Sequence, residues 1–508
     1  MSVSNKSGIG ELGRGLVELG WEIVSTGGTA AALIGAGVPV TKVSEVTGFP
    51  QILGGRVKTL HPLVHGGILA RRDLPEHLAE LAAHGIAPID LVVVNLYPFR
   101  ETVSRPGTSL EEAIEHIDVG GPTMVRAAAK NYRGVVVVVN PGRYAEVMTQ
   151  LREKGDVAEE LRYALAVEAF RHTAVYDAQI AAYLSREEGD FPPELVLAYE
   201  KVDDLRYGEN PHQRSTLYRD LLPTPGPTLV GARQLAGKEL SYNNLNDTEA
   251  ALDLCREFST ANPVVVAVKH ANPCGVAAGA SVAEAFRRAR DADPVSIFGG
   301  IVALNHKVDG ECARLMGEIF LEVVVAPAYS PEAVEILGKR KGLRILEVLP
   351  WEEPRGRDYV ISRVSGGVVI QDNDRLLEDG GNWRTVTGGE PSAATLDDLL
   401  FAWRVVKWAK SNAIVIVRDR TTLGIGVGQT NRIDAARQAL ARAGEQARGG
   451  VLASDAFFPF PDVVEEAAKA GISAIVQPGG STRDPESEET ARVAGITMVY
   501  TGVRHFRH

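Results

Sequence analysis

Runs of Val, Ile and Leu that are apolar at every position recur along this chain, separated by helical text, and that alternation leaves few folds open. LVVVNLY (91–97) and VVVVVN (135–140) lack the every-second-residue pattern of a strand with one wet face. Such strands are buried on both sides, as in a sheet sandwiched between helices, so the class is α/β with a mostly parallel sheet. WEIVS (21–25) reads the same way. Between these runs TAAALIGAG (29–37) and SLEEAIEHI (109–117) read as helices. The second opens with Ser109 as N-cap and Glu112 completing a capping box. The first section is therefore one compact α/β domain.

Helical text over 157–187 is followed by SREEGDFPPEL, a charged stretch with Pro and Gly of the kind that joins domains. A boundary near 197 is expected, giving domains 1–197 and 198–508. Beyond it NPVVVAVKH (262–270), GGIVALN (299–305), EVVVAP (322–327), NAIVIV (412–417) and ISAIVQPGG (472–480) supply further strands. A helix is expected over 395–412, with Thr395 as cap, Asp398 at N3, and Leu396, Leu399, Leu400, Trp403 and Val406 on one face. GGNWRTVTGGEPS (380–392) marks a division of the second section into two subdomains, near 365–392. No exact internal repeat is visible.

The 508 residues carry a net charge of −11, which argues against nucleic acid as a partner because polyanion binders show a basic excess. Any phosphate site must be local. The three cysteines, Cys255, Cys274 and Cys312, lie too far apart for a disulfide framework or a paired-cysteine zinc site, which suits a reducing cytoplasm. No run of about 18 apolar residues and no basic-then-apolar leader appears, so no membrane partner is expected.

Gly8-Ile-Gly10-Glu-Leu-Gly13 matches a dinucleotide fingerprint in form only, since it precedes the first good strand. STGGTA (25–30) leaves a buried strand through two glycines into a helix, offering free N–H groups and a positive dipole end to a phosphate. An ordinary strand-to-helix turn explains it equally in kind. GGRVKTLHPLVHGG (54–67) sets Arg56, Lys58, His61 and His65 between glycine pairs, as the far wall of an anion site or as a solvated basic loop. IDVGGPTMVRAAAKN (117–131) carries Asp118, then a helix with Arg126 and Lys130 four apart. Lys130 is either a proton carrier or a helix-end cation. DLRYGENPHQ (204–213) concentrates hydrogen-bonding groups at the domain entrance. VVVAVKHANPCG (264–275) puts Lys269 and His270 at a strand end, where open α/β sheets expose functional groups. An imidazole that accepts a proton beside an ammonium that stabilises an oxyanion suits acyl transfer. Cys274 is read as structural. Phe457, Phe460 and Asp462 in SDAFFPFPD, with Asn412 and Arg432, offer turn residues against which a flat heterocycle would stack.

In order along the chain, SVSNKSG, STGGTA, GGRVKTLHP, NLYPF, DVGG, RAAAKN, LRYGENPHQ, LSYNNLNDTEAA, KHANPCG, FGGIVALN, GIGVGQTNR, SDAFFPFPD and VRHFRH resemble the bifunctional AICAR transformylase/IMP cyclohydrolase family. Nearly the whole chain is covered. The resemblance implies a methylglyoxal-synthase-like N-terminal domain followed by two cytidine-deaminase-like α/β subdomains without zinc. It implies purine biosynthesis in the cytoplasm: formyl transfer from 10-formyltetrahydrofolate to AICAR giving FAICAR, then ring closure of FAICAR to IMP with loss of water. It further implies a homodimer with transformylase sites completed at the interface, and no catalytic metal.

Carried over residue by residue, the cyclohydrolase nucleotide site comprises Ser4, Asn5, Lys6, Thr26, Gly27, Gly28, Thr29, Arg56, Lys58, Thr59, Asn95, Tyr97, Asp118 and Gly120, with Lys130 as proton donor and acceptor. The transformylase site comprises Arg206, Tyr207, Lys269, His270, Gly299, Glu322, Asn412, Arg432, Phe457 and Arg504, with Asp462, Gly479 and Gly480 as folate contacts. Asn5 and Glu322 stand where some members have Asp. In this reading His270 is the general base, Lys269 the oxyanion stabiliser and Asn412 a positioning group. Two alternatives stand apart from the resemblance: a non-catalytic phosphoribosyl sensor, and a methylglyoxal-synthase-like lyase fused to an unrelated module.

Overall fold

The computed structural model describes residues 1–105, 107–187, 191–222, 226, 228–349 and 359–508. It divides into two compact units, Met1–Glu200 with a short returning segment that begins at Arg219, and Lys201–Tyr218 with the remainder. The linker expected at SREEGDFPPEL lies in part, at 188–190, outside the described residues.

In the first unit β1 (Ser2–Val3), α1 (Gly27–Gly35), β2 (Leu91–Asn95), α2 (Gly120–Lys130), β3 (Val136–Val138) and α3 (Glu159–Leu184) form the frame. The sheet order β1-β2-β3 is parallel throughout. Alternate residues of β2 and β3 enter opposite cores, Val92 and Val137 on one face, Val93, Val136 and Val138 on the other. This is why those segments are apolar at every position. Of the expected strand 21–25 only Val24–Ser25 pairs, with Thr41–Lys42.

The second unit is built twice on one plan. Its first half runs β4 (Arg233–Ala236), α4 (Tyr242–Arg256), β5 (Val264–Lys269), β6 (Asn272–Ala278), α5 (Val282–Ala292), β7 (Gly300–Leu304), α6 (Gly310–Met316), β8 (Leu321–Ala326), α7 (Pro331–Gly338) and β9 (Arg344–Glu347). Its second half repeats that order as β10 (Arg384–Thr387), α8 (Ala393–Lys407), β11 (Ile414–Arg418), β12 (Thr421–Gly426), α9 (Arg432–Ala443), β13 (Val451–Ser454), α10 (Asp462–Ala470), β14 (Ala474–Gln477), α11 (Asp484–Ala494) and β15 (Thr497–Tyr500). All twelve strands make one sheet in the order β10-β15-β14-β13-β11-β12-β6-β5-β7-β8-β9-β4, each half the mirror list of the other about the β12/β6 seam. The hairpins β5–β6 and β11–β12, the pairs β5–β7 and β11–β13, the edge strands β4 and β10 and the seam make seven of the eleven strand pairs antiparallel, so the expected mostly parallel sheet holds only in the first unit.

Equivalent residues do equivalent work in the two halves. Ser241 caps α4 by accepting the Asn244 N–H, and Ser392 caps α8 by accepting the Thr395 N–H. The cap of α8 is thus three residues earlier than the expected Thr395. Gly275 of β6 and Gly424 of β12 lie against helices so closely that a Cβ would come 2.1 Å from the Ala289 carbonyl oxygen and 2.0 Å from that of Ala439. α4 and α8 share one core over one sheet face, whereas α5–α7 and α9–α11 cover the other face as two separate cores.

Between β9 and β10 a hairpin, Tyr359–Val364 with Gly367–Asp372, pairs with no other strand among the described residues. Val360, Ile361, Val364, Val368 and Val369 on it are exposed. No described helix is long and apolar enough to cross a membrane.

Candidate functional site

Five stretches of the first unit converge on a cavity of about 770 Å³. Thr26, Gly27, Gly28 and Thr29 come from the start of α1, and Asp118, Gly120 and Gly121 from the start of α2. The intervening loop contributes Arg56, Lys58 and Thr59, while Ser4, Lys6, Asn95 and Tyr97 close the remaining side. Two helix N-termini thus open on one space, where unpaired N–H groups and dipole ends favour an anion.

Several of these side chains are engaged in building the wall. The buried Thr29 hydroxyl accepts the Val3 N–H at 2.9 Å and donates to the Val3 carbonyl at 3.1 Å, tying β1 to α1. Asn95 Oδ1 accepts the N–H groups of Ser4 and Asn5 at 2.7 and 2.8 Å, fixing the loop after β1. Arg56 pairs with Glu115. Asp118 accepts the Gly121 N–H at 2.9 Å, and its own N–H donates to the Tyr176 hydroxyl at 2.8 Å. Burial raises the Asp118 pKa, opposed by the Gly121 N–H and the Lys58 ammonium. Tyr176, on α3, had no signal in the sequence because its partner is 58 residues away.

Not every expected residue reaches this cavity. Asn5 borders a smaller neighbouring pocket of about 430 Å³. His61 instead caps the Pro62–Leu69 helix, its Nδ1 accepting the Leu63 N–H at 3.2 Å. Burial pushes the His65 pKa down within that helix. Lys130 closes α2 at the end opposite Gly120 and is exposed. Ten residues of helix separate the two by about 15 Å along the axis. Arg126, one turn before Lys130, stacks over Phe170 of α3 at 5.7 Å.

In the second unit, β5 ends in a two-residue turn to β6, since Lys269 pairs with Asn272. His270 and Ala271 both adopt left-handed conformations, with φ of 54° and 56°. His270 is exposed at the tip. The Lys269 ammonium donates to the Phe298 carbonyl, and Gly299 leaves room for it, because a Cβ there would stand 3.0 Å from Nζ. Glu322 on β8 accepts from the Asn244 amide at 2.6 Å. These groups belong to the first half of the sheet.

Asn412, Arg432, Phe457 and Arg504 belong to the second half. Arg432 is turned inward: its side chain is 5% exposed, pairs with the fully buried Asp455, and donates to Ser454 Oγ at 2.8 Å and Asn412 Oδ1 at 2.7 Å. It holds Asn412 in place. Arg504 stacks on Phe506 at 4.6 Å, and Arg206 lies over Tyr207 at 5.5 Å. The halves are linked where the Lys410 N–H donates to Asn272 Oδ1 at 3.1 Å. Asp462 begins α10, while the Gly479 and Gly480 N–H groups already serve Gln477 and Asp484, at 3.0 and 2.7 Å. Cys274 is buried, with its thiol pushed up to about 12 by burial. Among the described residues no group of three or more His, Cys, Asp or Glu is placed to hold a metal ion.

A model of the AICARFT/IMPCHase bienzyme family matches residues 128–442, and one of the MGS-like domain matches residues 8–123. The bifunctional purine biosynthesis protein PurH of Halalkalibacterium halodurans is 54% identical over 509 residues, covering 100% of this chain and 99% of its own. PurH of a Thermoanaerobacter species is 52% identical over 509 residues with the same coverage. Among solved structures, the crystal structure of ForH is 40% identical, covers 37% of this chain and 97% of its own, and has a TM-score of 0.35. With one family model spanning more than half of its residues and relatives aligned along all of them at over half identity, the chain belongs to the AICARFT/IMPCHase bienzyme family.

Proposed function

We propose that the two units divide the family's two reactions, ring closure in the first and formyl transfer in the second. The chain is an AICAR formyltransferase and an IMP cyclohydrolase of purine biosynthesis, and a folate-type co-substrate accompanies the first activity. The observation that carries the division is the contrast between the sites. One is a cavity of about 770 Å³ onto which two helix N-termini open, with Lys58 near Asp118. The other is a half-buried Lys269 beside an exposed His270 at a two-residue hairpin turn.

In formyl transfer, His270 removes a proton from the AICAR amino nitrogen as that nitrogen bonds to the formyl carbon of 10-formyltetrahydrofolate. The Lys269 ammonium faces the developing oxyanion, and a proton returns to the donor nitrogen as its bond to the formyl carbon breaks. Asn412, held by Arg432, positions the nucleotide. Arg206, Tyr207, Glu322, Phe457 and Arg504 complete its site, with Asp462, Gly479 and Gly480 toward the folate. In ring closure the carboxamide nitrogen attacks the formyl carbon and water leaves. Lys58, Asp118 and Tyr97 move the protons, while the nucleotide phosphate rests on α1. Geometry favours Lys58 over Lys130 for this task, because Lys58 lines the cavity and Lys130 does not. No metal enters either step as written.

We also propose a cytoplasmic homodimer. Support comes from the hairpin 359–372, which carries five exposed aliphatic side chains and pairs with no other strand among the described residues. An isolated two-stranded ribbon is marginal in water and gains stability from a covering surface. The functional division is tested on the intact chain: His270→Ala should abolish AICAR formylation and leave closure of supplied FAICAR intact, and Lys58→Ala should do the reverse. Loss of both activities in both folded variants would overturn it.

A further inference from the structure

The two hairpin turns of the second unit are copies of one device. In the first half His270 and Ala271 have φ of 54° and 56°; in the second half Asp419 and Arg420 have φ of 53° and 53°. None of the four is glycine, and the left-handed region is disfavoured for residues with a Cβ. In the second half the compensation is plain. Asp398 of α8, six residues after cap Ser392, accepts the Asp419 N–H at 2.9 Å and the Arg420 N–H at 2.6 Å, one on each carboxylate oxygen. In the first half Asp247 of α4 stands six residues after cap Ser241. Burial raises its pKa, opposed by the Ala271 N–H, the His270 side chain and the His270 N–H, all of which its carboxylate faces; Glu322 adds a like charge.

The two turns carry different side chains. At the first tip position one presents an imidazole and the other a carboxylate. We propose that Asp247 is a positioning residue for formyl transfer: from α4 it clamps the β5–β6 turn so that His270 is held in one place, with an anion behind the imidazole as it gains a proton. The inference rests on the reading of His270 as base. The repeat supplies its own control, because Asp398 clamps an equivalent turn that bears no catalytic group.

The test uses the full-length protein. Asp247→Asn should lower kcat for formylation about 10–100-fold, as expected when a base is displaced by around an ångström. KM for AICAR should stay within about threefold, FAICAR closure should be unchanged, and the acid limb of the kcat profile should move to lower pH. Asp398→Asn should lower thermal stability comparably while leaving kcat within about twofold. If Asp247→Asn does not fold, Asp247→Asn with Ala271→Gly replaces it, since glycine adopts the turn conformation readily. Equal kcat in the two asparagine variants and the parent, with no change in pH profile, would overturn the proposal and leave Asp247 a purely structural clamp. His270→Ala keeps the two failures apart. Full formylation in that variant removes the base itself, whereas a dead His270→Ala beside a normal Asp247→Asn removes only the positioning role.

Discussion

Replacing Lys58 and Lys130 singly with alanine tests where protons are moved in ring closure. Lys58 lines the cavity and faces Asp118, so its loss removes a group in direct reach of the reacting atoms. A lost general acid–base group slows a step by about 10²–10⁴. Lys130 sits at the far end of α2, about 15 Å away along the axis. Even at 10 Å, allowing for the reach of its side chain, a unit charge acts through water with only about 0.4 kcal/mol. Screening at physiological salt reduces that to about 0.1 kcal/mol, a rate effect well under twofold. Supplied FAICAR should therefore be closed slowly by Lys58→Ala and at nearly the parent rate by Lys130→Ala, read as the appearance of IMP by absorbance or chromatography. A hundredfold loss in folded Lys130→Ala with near-normal Lys58→Ala would refute the reasoning, and the cavity would no longer be the closure site.

The double variant Lys269→Ala/His270→Ala should lose less formylation activity than the product of the single losses, because both groups act on one transition state; multiplicative losses would count against a shared site. Arg432→Ala leaves buried Asp455 without its cation and should destabilise the second unit by about 3–5 kcal/mol, measured by denaturant unfolding, with a loss under 1 kcal/mol contradicting the buried pair. At the C-terminus, burial alone would lower the His505 pKa, but hydrogen bonds with Asp374 and Glu378 outweigh it and raise the value. The imidazolium's contribution to stability is complete below the unfolded value of about 6.5 and is lost as pH rises through the raised folded value. Amides of 503–508, corrected for intrinsic rates, should exchange faster at pH 9 than at pH 6, and equal protection would argue against the tether.

The strands legible in the sequence were those whose side chains all enter cores, such as β5, where Val264, Val266 and Val268 face one core and Val265 and Ala267 the other. NPCGVAA was not legible as a strand because Pro273 and Gly275 read as punctuation. In the fold they flank a register shift, and Gly275 admits the Ala289 carbonyl. The resemblance implies two like subdomains, but no exact repeat is visible in the sequence because the halves share spacings, Ser to Asp on α4 and α8 and one glycine on β6 and β12, rather than runs of identical residues. The cavity's walls were announced by STGGTA, GGRVK and DVGG, since glycines and cations at helix starts carry local meaning. Lys130 follows DVGG closely in sequence and stands at the other end of α2, a separation that only the helix length gives. Asp247 was invisible because its purpose depends on a turn 23 residues later that only the folded hairpin creates.

The connection between the two halves of the large sheet joins its far ends. β9 lies beside one edge and β10 forms the other, so the 36 residues between Glu347 and Arg384 must span ten strand spacings, about 48 Å. The halves themselves meet at the seam, where Ala277 pairs with Thr421 and the Thr422 hydroxyl bonds to both N–H and C=O of Val276. None of those contacts needs the peptide that links the halves. A gene broken within that connection would yield two polypeptides presenting the same matching edges, and the sheet could be completed by complementation of fragments. In this fold, covalent continuity between the halves raises their local concentration; it does not write their interface.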